Sequence, residues 1–243
     1  TLEFVPTTRV LEKLRSRKTP EEIARIRKAA ELTDLGFEHI LPLIKPGVRE
    51  IEVALELEFF LRKNGSEGLA FSVTVASGER GARPHGGASE RKIREGELVT
   101  LDFGSVIGGY CSDMTRTVAV GRVSAELQAL YQAVLEAQTL ALEAVGPGKK
   151  GQELDEIARS HLSSLGYGEY FTHGLGHGVG LFTHEEPRLG QTSQVTPEAA
   201  NMVPIEPWVY LPNLGGCRIE DLVLVNEQGH EVLSKSPKHL IEL

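Results

Sequence analysis

Two Pro-Gly breakers, Pro46-Gly47 and Pro147-Gly148, stand 101 residues apart, and the same shift lays Leu61 on Leu162 and Gly65 on Gly166 without a gap. Each breaker separates two helical patterns. The first pair opens at "TPEE": Thr19 can cap, Pro20 suits the first turn and Glu22 completes a capping box. Ile23, Ile26, Ala30, Leu35 and Ile40 then form a helical stripe, and a second helix is predicted over Arg49 to Lys63. The later pair reads as Ser124 to Val145 and Glu153 to Leu165. Strand-like sequence follows both pairs: "LAFSVTVASG" and "GEYFTHGLG", then "ELVTLDFGSVIGGYCSDMTRTVAVG" and "MVPIEPWVYLPNLGGCRIEDLVLV". A chain repeated in this way folds as one pseudo-symmetric α+β domain, with helices on one side of a curved antiparallel sheet. A site at the junction can draw on both halves.

Composition narrows the function. The 243 residues are 40% hydrophobic and 25% charged, enough for a sizeable core. A net charge of −8 with no basic run argues against a nucleic-acid surface. No apolar run approaches the roughly 20 residues a membrane helix needs, and the first residues lack the apolar core of a signal peptide. Only two cysteines, Cys111 and Cys217, are present, so the expected compartment is a reducing cytoplasm with both thiols buried.

Acidic residues sit where strands should be apolar. Asp102 lies in "LVTLDFG" and Asp113 in "YCSDMTRTVAV", with Gly108-Gly109 between them as a hairpin turn. Period-two counting places Asp102 opposite Asp113 or one pair away on the diagonal. Two carboxylates that close repel unless a positive charge lies between them or one takes a proton. Taken alone, the hairpin also fits solvated acids on an exposed face. The second half repeats the pattern with Glu206 in "VPIEPW" and Glu220 in "GCRIEDLVLV", where Arg218 is an available partner for Glu220. Four such acids with an imidazole suit one or two divalent cations.

The imidazoles lie in "HGLGHGVGLFTHEEPRL", residues 173 to 189, where Gly174, Gly176, Gly178 and Gly180 rule out a regular helix. His173 and His177 are therefore no helical i, i+4 pair, and the glycines point to backbone that passes close to something. One histidine can reach the cations while others face a substrate. His85 in "GARPHGG" is a fourth histidine among glycines.

These segments resemble the catalytic domain of the Xaa-Pro peptidases, prolidase and aminopeptidase P, within the pita-bread metallopeptidases. The resemblance runs from Thr19 to Leu243 and rests on "LDFG" with "SDMTRT", on "HGLGHGVGL" with "HEEPRL", on "IEPWVY" and on "GGCRIED". It implies a pita-bread fold and five ligands, Asp102, Asp113, His177, Glu206 and Glu220, for two divalent ions, manganese or cobalt ahead of zinc or iron. It implies that Asp113 and Glu220 bridge or nearly bridge the two ions, that Glu206 takes a proton from the attacking water, that His85, His173 and His184 contact the substrate, and that Arg218 supports the bridging carboxylates. Arg188 falls where some dipeptide-cleaving members bind the substrate carboxylate.

The implied activity is removal of the N-terminal residue from Xaa-Pro dipeptides or longer Xaa-Pro peptides by metal-activated hydroxide. The alternatives are a methionine aminopeptidase-like activity and an inactive binding module; the retained ligands and the "HEEPRL" segment favour the first reading. Short proline-containing peptides are the implied partners. Residues 1–18 are expected to be the tail of a linker from a further N-terminal domain, with 19–243 as the catalytic domain and the full-length protein a homodimer. Four positions depart from the family pattern: Pro204, Trp208, Asn201 and Leu222. Trp208 is expected to reshape the pocket, and Asn201 to take over a turn glycine's left-handed backbone.

Overall fold

The structure, a computed structural model, describes residue 2, residues 4–83 and residues 86–243. Helix α1 (Val10–Ser16) precedes the first helix pair, α2 (Pro20–Ile40) and α3 (Glu50–Lys63). The predicted capping box is formed: Glu22 N donates to Thr19 Oγ1 at 3.3 Å and Thr19 N to Glu22 Oε2 at 2.6 Å. Of the expected stripe on α2, Ile26, Ala30 and Ile40 are buried, but Leu35 is 53% exposed because the stripe is narrower than the pattern suggested. The second pair is α4 (Ala125–Ala144) and α5 (Gly151–Ser164).

The repeat is visible in backbone angles. Gly47 and Gly148 both take φ +92°, a left-handed turn that a side chain resists. Helices α3 and α5 are each 14 residues long and start at Glu50 and Gly151, the same shift as the breakers.

The curved sheet is assembled from short antiparallel ladders. In the first half β1 (Thr74–Ser77), β2 (Glu97–Phe103) and β5 (Met114–Val120) lie in the order β1-β2-β5, while β3 (Val106–Ile107) and β4 (Tyr110–Cys111) close a hairpin over Gly108-Gly109. In the second half β6 (Gly176–Gly178) pairs with β7 (Glu185–Leu189) and β9 (Trp208–Leu211) with β10 (Gly215–Arg218). There β8 (Met202–Ile205), β11 (Asp221–Asn226) and β12 (Gly229–Val232) form the order β12-β11-β8. Single backbone bonds knit the ladders: Glu220 N to Thr115 O at 3.1 Å, Glu206 N to Leu175 O at 2.9 Å and Val179 N to Met202 O at 3.0 Å.

Each half has its own core. Phe37, Leu57, Leu61, Val99 and Phe103 pack α2 and α3 onto the first sheet. Leu130, Val134, Leu154, Leu162, Ile205 and Val223 pack α4 and α5 onto the second. Each fully buried Leu or Phe contributes about 1.5–3 kcal/mol. The two cores place the edges of both sheets side by side, and the four acids lie along that seam.

Asn201 does not adopt the left-handed backbone. Ala200 does, at φ +71°. Asn201 instead accepts from Glu198 N at 2.8 Å and donates to Ser16 O at 2.9 Å, fastening the stretch after α1 to the sheet. Helix α1 is also held through Arg15, and the stretch after it through Lys18, both paired with Glu185.

Candidate metal centre and substrate pocket

The register of β2 and β5 sets the first two acids. Asp102 pairs with Thr115, and Val106 pairs with Cys111 in the same register, so Asp113 falls opposite Gly104. The diagonal arrangement is therefore the one adopted. Gly104 makes it feasible, because a Cβ there would strike the Ser112 carbonyl oxygen. In the second half Ile205 pairs with Asp221 and Trp208 with Arg218, so Glu206 faces Glu220 across the break between ladders.

The glycines around His177 serve close approach. A Cβ at Gly176 would run into Pro204 O, one at Gly178 into Glu186 O, and one at Gly174 would come within 2.5 Å of Leu189 O. Strand β6 is thus pressed between its neighbours, which brings His177 to the acids. Nδ1 of His177 lies 3.1 Å from Gly178 O, a contact that the Nδ1–H tautomer satisfies. Nε2 is left as a lone pair, 3.2 Å from Glu206 Oε1 and 3.8 Å from Asp113 Oδ2.

A cavity of about 580 Å³ is lined by Asp102, Asp113, His177, Glu206 and Glu220 together with His173, His184, Arg188, Trp208 and Arg218. Every site residue named from the sequence borders it except His85, which lies outside the described residues. The His184 ring centroid is 4.3 Å from that of His177. Arg188 is exposed on β7 at the rim.

Arg218 corrects one expectation. Its Nη2 donates to Asp102 Oδ2, its Nη1 to the Tyr210 hydroxyl at 2.7 Å and its Nε to Thr115 Oγ1 at 2.9 Å. It reaches Glu220 only through Thr115, whose hydroxyl donates to Glu220 Oε2 at 2.6 Å. Two residues of sequence separation on a strand share a face but do not bring these side chains together. Thr115 and Tyr210 were not read as site residues, although Thr115 shares the face of Asp113 at a spacing of two.

Four carboxylates against two guanidiniums, Arg218 buried among them and Arg188 exposed at the rim, leave the site short of positive charge. Burial, then Glu220, Asp102 and Glu206, push Asp113 well above the usual carboxylate range. Burial, reinforced by Asp102, lifts Glu206 to about 8, with Arg218 opposing. Glu220 moves upward for the same reasons, burial first and Glu206 next. Burial lowers His177, disfavouring its charged form, with the Gly178 carbonyl and Glu220 opposing. Asp102 Oδ1 and Glu220 Oε1 are buried with no hydrogen-bond partner. Asp113, His177 and Glu220 offer ligand atoms within 4.8 Å of one another. Unpartnered buried oxygens beside a bare imidazole nitrogen fit a hard or borderline divalent cation.

Comparison with known proteins decides the family. Residues 24–227 match the model of metallopeptidase family M24. The chain belongs to metallopeptidase family M24. Family M24 enzymes are metal-dependent, in keeping with this donor set. Among relatives, the chain is 44% identical over 239 residues to the Xaa-Pro dipeptidase of Pyrococcus furiosus, covering 98% of this chain and 69% of that protein. It superposes on the Xaa-Pro dipeptidase of Bacillus anthracis with a TM-score of 0.97 at 50% identity, over 99% of this chain and 68% of that one. The X-Pro aminopeptidase of Thermotoga maritima matches with a TM-score of 0.93 at 38% identity, over 96% and 66%. The M24 chain accordingly has the pita-bread fold. Among the described residues no helix is long and apolar enough to cross a membrane.

Proposed function

We propose that this M24 metallopeptidase removes the N-terminal residue from short Xaa-Pro peptides, using two divalent ions held by Asp102, Asp113, His177, Glu206 and Glu220. The observation that carries the reading is the meeting, in one cavity, of four acids and an imidazole drawn from both halves of the chain. The names of its relatives support the substrate class. Manganese or cobalt is the proposed pair of ions on the resemblance, and a site of four carboxylates and one imidazole accepts either. Buried free thiols at Cys111 and Cys217 favour a cytoplasmic setting.

A peptide bond before proline has no N–H to grip, so its cleavage depends on polarising the carbonyl. Bound divalent ions supply Lewis acidity and a water acidic enough to ionise near neutrality. Around them the chain's own groups divide the remaining work. Glu206, largely buried beside the ions at the cavity wall, takes a proton at its carboxylate and passes it toward the proline nitrogen. His173 and His184 border the cavity and donate to the carbonyl oxygen as charge develops there. His85 is assigned to the substrate with them on the resemblance alone. Arg188, exposed at the rim, meets the substrate's carboxylate. Arg218 fixes Asp102 and, through Thr115, Glu220. Trp208, 5% exposed and in contact with His173, narrows the wall beside them.

The direct test is hydrolysis of Ala-Pro, Ala-Pro-Ala-Ala and Met-Ala-Ser by metal-loaded protein. Turnover of the proline peptides that stops with chelator and returns with manganese or cobalt is expected. Preference for Met-Ala-Ser, or turnover indifferent to chelator, overturns the reading.

A further inference from the structure

Helix α5 carries a pair that the site residues do not account for. Asp155 is completely buried, and Arg159, one turn on, is largely so. Both turn away from solvent toward the loop that bears His173. Arg159 Nε and Nη2 donate to Asp155 Oδ2 and Oδ1 at 2.8 and 3.2 Å. The same guanidinium donates through Nη1 to Phe171 O at 2.6 Å and through Nη2 to His173 O at 2.8 Å, and it lies 4.1 Å above the Phe171 ring. Asp155 Oδ1 in turn accepts from Leu175 N at 3.0 Å, and Leu175 O accepts from Glu206 N at 2.9 Å. One ion pair therefore holds three backbone groups of residues 171–175, and the last of those residues holds Glu206.

An i,i+4 acid–base pair on a helix surface contributes little. A buried pair that binds two carbonyls and an amide of one loop imposes a geometry. We infer that Asp155 and Arg159 are positioning residues, setting His173 and Glu206 relative to each other across the substrate pocket. Arginine's planar fork is needed because two carbonyls and a carboxylate must be bound from one plane; lysine has the charge without the fork. The inference rests on the roles proposed above for His173 and Glu206.

The test combines kinetics, metal content and amide exchange on the full chain. Arg159→Ala and Arg159→Lys are expected to lower kcat on Ala-Pro by about 10²-fold with KM nearly unchanged, measured at metal concentrations that keep the site filled so that a weakened Glu206 ligand does not set the rate, as misplacement of a reacting group does. Because part of its effect runs through His173, Arg159→Ala adds less than its full factor to the loss already caused by His173→Ala, the remainder being the share that runs through Glu206. Amide exchange at Leu175 and Glu206 accelerates in Arg159→Lys and in Asp155→Asn. Losses that multiply in the double variant, an unchanged kcat, or unchanged exchange at Leu175 and Glu206 overturn the inference. Should Arg159→Ala fail to fold, Arg159→Lys and Asp155→Asn are read by the same measures. A wild-type chain that cleaves no Xaa-Pro peptide defeats the functional reading instead, and exchange at those two amides then decides the clamp.

Discussion

Glu206 and Glu220 face each other behind Arg218, each with its proton held more tightly than a carboxylate in water. For Glu206 burial is the main cause and the value rises from 4.5 to about 8. A carboxylate whose folded-state value lies above its unfolded value stabilises the fold while protonated. That contribution is present at and below the ordinary carboxylate range and is lost as pH rises through about 8. Chelator-stripped protein should therefore lose thermal stability between about pH 5 and about pH 9, and stripped Glu206→Gln should lose less over that span. Equal slopes for the two proteins in a thermal melt series would show that Glu206 carries no such shift. At this scale the sequence was informative because charged groups inside apolar strands stand out. It misassigned the partner of Arg218, since closeness along a strand says nothing of which side chain lies across the seam. Asp155 and Arg159 escaped notice for a related reason: on a helix, four residues apart, they look like any solvent-facing pair until the loop they hold is in place.

Strand β6 shows how an element delivers one side chain. The glycines in and just before it are selected by crowding, since none of Gly174, Gly176 or Gly178 has positive φ while each would set a Cβ against a neighbouring carbonyl. Gly176→Ala should force β6 away from Pro204, lowering Tm and bound metal together because His177 is the next residue. An alanine variant with wild-type Tm and full metal content would mean that the strand has room to spare. The need for close approach was legible in the glycine spacing, whereas the neighbour was not. The hairpin over Gly108-Gly109 was legible too, but its register was open. The choice between facing and diagonal acids depended on Gly104 tolerating the Ser112 carbonyl, a close approach across the hairpin's two arms that counting along either arm does not show.

The whole molecule is two cores and a seam. The 101-residue repeat revealed the halves, the helix pairs and the turn glycines, since these follow from local sequence, although α5 starts at Gly151, two residues ahead of the expected Glu153. What it left undetermined was how short ladders join into one curved surface, because that rests on single backbone bonds such as Glu220 N to Thr115 O. Those bonds carry β5 and the start of β11 to the same place, so each half contributes acids that are costly to bury without a shared cation. The measurement that tests this most directly is an anomalous difference map from crystals grown with manganese. Two peaks per chain inside the cavity, among Asp102, Asp113, His177, Glu206 and Glu220, are predicted. Peaks only elsewhere on the surface, or none with manganese in excess, would contradict it.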